Sequence, residues 1–432
     1  EVQNGENARY EWYLDDSSVP VSTQKDYIFM RTRPGDCTLR LTAANEDGTA
    51  EKTLAVHVVD VIPVRIAFIP SSYSADPLVR SVSLGRTLFL RPQVADAVGP
   101  EYTWYVDGTL QEGATGRMFA FTPEKEGEYE VTFRVTDTDE SPLAPLSRHI
   151  TRASSKRITE ETLRVTCYER ESERVITTTG QPAADRVLEF LPAPGQFVNE
   201  KDMAGYTGQK SFEEARLYAE NRLKKGEFVS LGNFGGYVIL AFDHSVENKG
   251  GYDFSIPGNQ FEGSNEPGVV WVMQDVNGNG KPDDEWYELR GSETGNEWTT
   301  QEYAVTYYRP GGPRQGVKWT DNLNRSGQVA YLEQFHPQDY YYPLWLEEES
   351  HTYYGTGLRQ NTTQDPGGDW SNNSFEWGYV DNAGSDNLDS SGKTGKTYFK
   401  IANAMTPDGQ PAGLRYIDFI KVQSAVNGSA GG

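Results

Sequence analysis

YEWYLD (Tyr10–Asp15) and YTWYVD (Tyr102–Asp107) are one phrase written twice, 92 positions apart. The register holds without a gap: Phe29 falls on Phe121, Gly35 on Gly127, and Leu39, Leu41 and Ala43 on Val131, Phe133 and Val135. Apolar residues recurring at every second position place one face of a strand inward, and a tryptophan at the start of each copy would plug the core of a sandwich. The pattern predicts two copies of one small β-sandwich.

The two copies resemble PKD-type immunoglobulin-like domains, whose recurring elements are Y-x-W-x-x-D/G and a later G-x-Y-x-V-x-L-x-V-x-D/N. The second copy carries GEYEVTFRVTD (127–137) and the first PGDCTLRLTAAN (34–45). Cys37 therefore stands at the place of Tyr129, an inward strand position, and reads as a small buried apolar side chain. Cys37 and Cys167 fall in different domains, which argues against both a disulfide framework and a thiolate metal site. Strand-like runs VRIAFI (64–69) and RTLFLRP (86–92) precede Trp104, whereas only eleven residues precede Trp12. The first domain is therefore expected to be incomplete at its N-terminal side, with Val2 closing a strand as Val94 does. The opening EVQNG has no initiator Met, and a secretion signal upstream is expected. The predicted domains are 1–60 and 61–168, both PKD-type, a linker over 169–185, and a larger domain over 186–432.

With 63 acidic against 40 basic side chains the net charge is −23, which repels a phosphate duplex and excludes nucleic acid as a partner. No apolar run reaches the roughly 18 residues that a membrane span needs. Abundant Tyr, Trp, Gly and Asn between turn signals is the composition of an all-β extracellular protein.

Beyond Arg186 lie all the tryptophans except Trp12 and Trp104. One helix is predicted there, Ser211 to Lys225, opened by the capping box Ser211-x-x-Glu214 and closed by Gly226, with Phe212, Ala215, Ala219 and Leu223 on one face.

DVNGNGKPDDEW (275–286) carries metal-binding chemistry. Asp275, Asn277 and Asn279 place oxygens at positions one, three and five of a Ca²⁺ loop, Gly280 permits the sharp turn at six, and Lys281 offers a carbonyl at seven. Trp286 stands where an EF-hand has its bidentate carboxylate, so Asp283, Asp284 or Glu285 would close the shell. The competing reading is a hairpin turn whose Asp and Asn side chains satisfy local backbone groups. A structural Ca²⁺ is the expectation.

Neither G-x-S-x-G nor H-E-x-x-H occurs. His244, beside Asp243 and near Glu247, reads as a strand-end histidine held for structural reasons. A glycosidase-type carboxylate pair stays open, because spatial separation is invisible in a sequence. Long aromatic loops between Trp319 and Tyr379, rich in Asn, Asp and Gly, suit stacking on a sugar or macrocycle face. Trp345, Tyr354, Trp370, Trp377 and Tyr379 are the candidate rings, with Tyr342 as a further ring and Asn372, Asn373 and Asp381 as polar contacts. The alternative is that these rings pack beneath their own loops.

The runs VSLGNFGGYVILAFDHSVENKGGYDFSIPGNQF (229–261), NEPGVVWVMQD (265–275), DDEWYELRGSE (283–293) and LRYIDFIKVQSAVNG (414–428) resemble a family of PKD-containing bacterial cell-surface proteins common in gut Bacteroidetes. They also resemble discoidin-like, galactose-binding-like jelly rolls. The jelly-roll resemblance implies that a first and a last strand, here VLEFLPAP (187–194) and YIDFIKV (416–422), pair to close the sandwich. The family resemblance implies an outer-membrane surface lipoprotein, anchored through a lipid outside this sequence, that serves a TonB-dependent receptor of the cobalamin type. The expected function is capture of a corrinoid or a glycan without catalysis. A Ca²⁺-dependent glycan hydrolase and a structural or adhesive surface protein are the alternatives.

Overall fold

The computed structural model describes residues 7–31, 33–58, 63–137, 157–177, 179–201, 209–368, 370–388 and 395–428. Val2 lies outside them. The fold is all-β with one short helix. Two compact units divide the chain: Glu1–Ile66 with Val94–Tyr102 and Arg134–Glu160, and Ala67–Gln93 with Thr103–Phe133 and Glu161–Gly432.

In the first unit the strands Arg9–Leu14, Gly35–Asn45 and Gly48–Val58 form an antiparallel sheet in chain order. Cys37, Leu39 and Ala43 are buried, as the period of two requires. Cys37 is a free thiol among apolar neighbours. Asp15 adopts a left-handed backbone (φ 53°), and its carboxylate accepts the amide of Thr38 at 2.8 Å, which fixes the turn after Trp12.

The immunoglobulin-like part of the second unit repeats each of these devices 92 positions on. Asp107 (φ 48°) accepts the amide of Glu130 at 2.9 Å. The Trp104 indole donates to the carbonyl of Gly116 at 3.0 Å, as that of Trp12 does to Gln24 at 3.0 Å. The strand bounds obey the same offset, Glu101–Val106 against Arg9–Leu14 and Gly127–Asp137 against Gly35–Asn45. Trp104 is 0% exposed, stacked on Phe119 at 5.1 Å and tilted against Phe133 at 4.5 Å. Cys167 is likewise buried and free.

The C-terminal region of the second unit is built on a six-stranded sheet. Its order is Arg186–Leu191, Tyr237–Glu247, Tyr416–Ser424, Gly268–Met273, Trp286–Leu289, Ala404–Met405. A four-stranded sheet orders Ser326–Val329, Val317–Asp321, Thr300–Tyr308 and Ser350–Gly357. Tyr303, Val305, Tyr307 and Tyr353 of the second sheet share one core with Ile239, Phe419 and Phe234. The expected closure by VLEFLPAP on YIDFIKV is corrected: both strands lie in the large sheet, but Tyr237–Glu247 stands between them and pairs with each. A strand's partner is set by long-range packing that its own residues do not encode.

The helix forms where its caps place it, over Phe212–Lys224. Ser211 accepts the Glu214 amide at 3.2 Å, and the Glu214 carboxylate reaches back to the amide of Lys210 at 2.8 Å. Gly226, at φ 74°, ends it.

Within the second unit the immunoglobulin-like part is fastened to this region by polar anchors. The buried Glu189 carboxylate accepts the amides of Tyr73 at 2.9 Å and Ser74 at 3.0 Å and the Tyr237 hydroxyl at 2.8 Å. Arg86 donates to the carbonyl of Ala412 at 2.7 Å and pairs with Glu171 at 2.9 Å. Within 169–185, expected as a linker, Arg174 is tied down: its amide donates to Ser245 Oγ at 2.9 Å, its carbonyl accepts the Ser245 amide at 2.8 Å, and its guanidinium pairs with buried Asp418 at 3.1 Å.

Candidate functional site

The central strands of the large sheet are apolar on one face and mixed on the other. Val238 opposes Val422 and Leu240 opposes Ile420, so these four share one face, while Tyr237, Ile239, Lys421 and Gln423 share the other. The first face floors a groove of about 1350 Å³. Its walls are Leu223 and Lys224 of the helix, the loop from Gly226 to Gly232, and the strand pair Phe254–Gly258 with Gly395–Phe399. Val175 and Ile176 reach it from the chain before the first strand, and both are exposed.

Among the acidic residues that line this groove, Asp381 and Glu266 are neighbours. Asp381 has a left-handed backbone (φ 53°), a conformation that non-glycine residues take mainly where the surroundings enforce it. Its Oδ1 accepts the amide of Asn259 at 2.9 Å, and burial pushes its carboxyl up to about 6. The Glu266 amide donates to the Asp381 carbonyl at 3.1 Å, which keeps the residues adjacent. Glu266 is accessible from the groove yet walled in by it, and that surround, with the charge of Asp381, raises its carboxyl to about 7. His244 also lines the groove; its Nδ1 lies 2.6 Å from Asp243, which in turn accepts the amide of Gln181 at 3.0 Å.

Of the ligand residues expected from the sequence, Asp381 alone lines this groove. Trp345 is buried, edge-on to Phe212 at 5.7 Å and to Tyr73 at 6.0 Å, so its place on an exposed binding face is corrected to the core. The same correction applies to Tyr379, buried 5.4 Å from Phe375 with its hydroxyl accepting the Glu293 amide, and to Tyr342. Tyr379 belongs to a small core beneath its own loop with Phe375 and Leu358, whereas Trp345 and Tyr342 join the main core of the region. Tyr354 is half-buried beside Lys421 and Trp286, in a separate cavity of about 150 Å³. Trp377 is half-buried, and its carbonyl accepts the Ser292 amide. Trp370 is 68% exposed on the hairpin Thr362–Gln364 with Trp370–Asn372. Asn372 accepts the Thr362 hydroxyl at 2.8 Å, and Asn373 donates to the Asn361 carbonyl at 3.1 Å.

The residues missed from sequence are Glu266 and the aliphatic floor. The signal was YVILAF itself, which has no polar alternation and so has both faces covered or lining an apolar space.

The loop from Asp275 to Trp286 joins two paired strands, so it is a hairpin connection. It also has the interior of a cation site. Asp275 Oδ2 accepts the amide of Gly280 at 2.9 Å, Asn277 Oδ1 that of Asn279 at 2.9 Å, and Asn279 Oδ1 that of Lys281 at 2.7 Å. Gly278 and Gly280, at φ 70° and 73°, let the chain curl round these oxygens. Asp284 Oδ2 accepts the amide of Val276 at 2.8 Å. Asp275 and Asp284 are 2% and 1% exposed, and the second oxygen of each has no hydrogen-bond partner. Burial raises both carboxyls, that of Asp284 well above the usual range, with the charge of Asp418 adding to the rise at Asp275 and those of Asp283 and Asp275 to the rise at Asp284. Asp283 is engaged by the Asn279 amide, and Glu285 feels Arg91, Arg80 and Lys421. Among the described residues no three His, Cys, Asp or Glu side chains converge as a metal site. Two carboxylates supplemented by amide and backbone oxygens is a donor set for a hard cation, and the two orphaned oxygens fit one.

Residues 1–58 and 73–148 match the PKD domain family. Such domains typically occur in extracellular or surface proteins, and immunoglobulin-like modules of this kind fit a structural or adhesive surface protein. No helix among the described residues is long and apolar enough to cross a membrane. Among solved structures the chain is similar to fibronectin(III)-like modules of Clostridium thermocellum CbhA, with 17% identity over 37% of this chain and 77% of that one, TM-score 0.16. It is similar also to the N-terminal four Ig domains of Dscam1 isoform 4.44, with 14% identity over 37% of this chain and 38% of that one, TM-score 0.16. A quinonprotein alcohol dehydrogenase-like protein from Bacteroides thetaiotaomicron is 11% identical over 61% of this chain and 49% of that one, TM-score 0.17. The chain thus spans less than two thirds of the last two structures.

Proposed function

We propose that this is a surface ligand-capture protein without catalytic activity, in which PKD-type modules carry a C-terminal domain that holds a bulky ligand in the large groove. The groove itself carries the reading. About 1350 Å³ exceeds the roughly 300–1,000 Å³ of pockets for drug-sized molecules, which favours a macrocycle or an oligosaccharide. An aliphatic floor of Val238, Leu240, Ile420 and Val422 favours a corrinoid, whose macrocycle has a broad apolar face, while the rings of Phe228, Tyr252 and Tyr398 at the groove keep an oligosaccharide as the alternative ligand. Glu266 and Asp381 would accept hydrogen bonds from its peripheral amides. Outer-membrane anchoring by a lipid and delivery to a TonB-dependent receptor complete the proposal, with Ca²⁺ bracing the loop from Asp275 to Trp286.

The test is titration of cyanocobalamin and a glycan panel by calorimetry against the wild type, Leu240→Trp, Asp381→Asn and Trp370→Ala. Capture in the groove requires that the first two variants weaken binding at least tenfold and the third leave it unchanged. Loss on Trp370→Ala alone would move the site to the hairpin.

A second reading has a specific observation in its favour: two carboxyls raised to about 6 and about 7 share one groove, as a glycosidase acid requires. Release of reducing ends from any glycan by the wild type, abolished in Glu266→Gln, would establish the hydrolase.

A further inference from the structure

The Asp275–Trp286 loop touches more than its own hairpin. Asn277 Nδ2 donates to Ser81 Oγ at 3.1 Å. Ser81 belongs to the strand Val79–Ser83, part of the immunoglobulin-like region, and is buried. The Trp286 indole donates to the carbonyl of Ser71 at 2.8 Å, and Ser71 Oγ reaches the carbonyl of Asp283 at 3.4 Å. From the other side Asp418, on the closing strand, accepts the Asp275 amide at 2.9 Å while its second oxygen holds Ser245 at 2.6 Å and Arg174. Four segments distant in sequence therefore meet around Asp275 and Asp284.

Arg174 bonds to Asp418 and reaches Asp275 only through its charge, and one oxygen each of Asp275 and Asp284 has no hydrogen-bond partner. Two buried carboxylates with an orphaned oxygen each cost several kcal/mol unless a cation or protons answer them. We infer that a Ca²⁺ held between Asp275 and Asp284 clamps the immunoglobulin-like module carrying Ser71 and Ser81 onto the C-terminal sheets. This rests on the calcium reading above and extends it from a brace within one loop to a latch between two modules. The cation fixes the loop through Asp275 and Asp284, and the loop holds the module through Asn277 on Ser81 and Trp286 on Ser71.

The test is hydrogen–deuterium exchange on the full chain with Ca²⁺ and with chelator, beside calorimetric titration of Ca²⁺ alone. In the wild type Ca²⁺ slows exchange at least tenfold in 275–286 and also in 71–74 and 79–83. Asp284→Asn loses both the binding heat and the protection. Ser81→Ala keeps both carboxylates, so it binds Ca²⁺ and protects 275–286 while 79–83 loses its added protection. Binding that protects 275–286 alone in the wild type overturns the latch and leaves the calcium reading standing. Absence of binding heat overturns both, with protonated carboxyls in place of the cation.

Discussion

Replacing the same tryptophan in each repeat should give different costs. Trp104 is fully buried against Phe119, Phe133 and Phe68, the last edge-on at 6.5 Å, and its indole satisfies the Gly116 carbonyl. Trp104→Ala removes a core ring and leaves a cavity, about 3–5 kcal/mol, with about 1 kcal/mol more for the hydrogen bond. Trp12 is only half-buried, meets Tyr27 at 5.7 Å, and holds the same bond to Gln24. Partial burial scales the transfer cost down, so Trp12→Ala should cost about 1–2 kcal/mol. Urea unfolding with exchange mass spectrometry assigns each loss to its own module, which matters because several transitions are expected in a chain of this size. Equal costs at the two positions would refute the claim that one motif is core in the second copy and half-surface in the first.

Chelation should lower the melting temperature of the C-terminal region, since a ligand at a hundred times its Kd stabilises by about 2.7 kcal/mol; an unchanged calorimetric trace contradicts this. The chelated protein should also lose stability as pH rises from the ordinary carboxylate range through about 7. Asp381 and Glu266 have folded values of about 6 and about 7, above their unfolded values, so the folded chain holds protons that the unfolded chain has released. Asp275 and Asp284 act in the same direction, and Ca²⁺ should reverse their part by requiring the ionised form. Stability rising over that window in chelator would contradict the assignment. Ser211→Ala removes the N-cap acceptor of Glu214 and should cost about 1 kcal/mol, while Ser211→Asp should restore most of it, both read by chemical denaturation.

What was legible in the sequence is what is local. The 92-residue repeat carried the inward alternation of Leu39 and Ala43 and of Val131, Phe133 and Val135, because a period of two needs only neighbouring residues, whereas the bonds from Thr38 to Asp15 and from Glu130 to Asp107 span 23 residues and come from the fold. Ser211, Glu214 and Gly226 bounded the helix for the same reason. The competing reading of the Asp275–Trp286 loop, a hairpin turn whose Asp and Asn side chains hold local amides, is seen in the bonds to Gly280, Asn279 and Lys281, while one oxygen each of Asp275 and Asp284 stays unpartnered. The pairing of the first and last strands was misplaced by one strand, because partners are chosen by packing across the whole sheet. Trp345 and Tyr379 failed as surface rings because a loop long enough to carry a ligand is also long enough to bury its aromatics. Glu266 was invisible as a partner of Asp381 because 115 residues separate them and only the fold brings them together.

The most direct test of the account is calorimetric titration of cyanocobalamin into the wild type and Leu240→Trp. Leu240 is half-buried on the groove floor, so a larger side chain there occludes the space without emptying the core. The account predicts saturable one-to-one binding to the wild type and at least a tenfold loss in the variant. Equal affinity for both proteins, or binding to neither alongside a glycan that binds at the Trp370 hairpin, would contradict it.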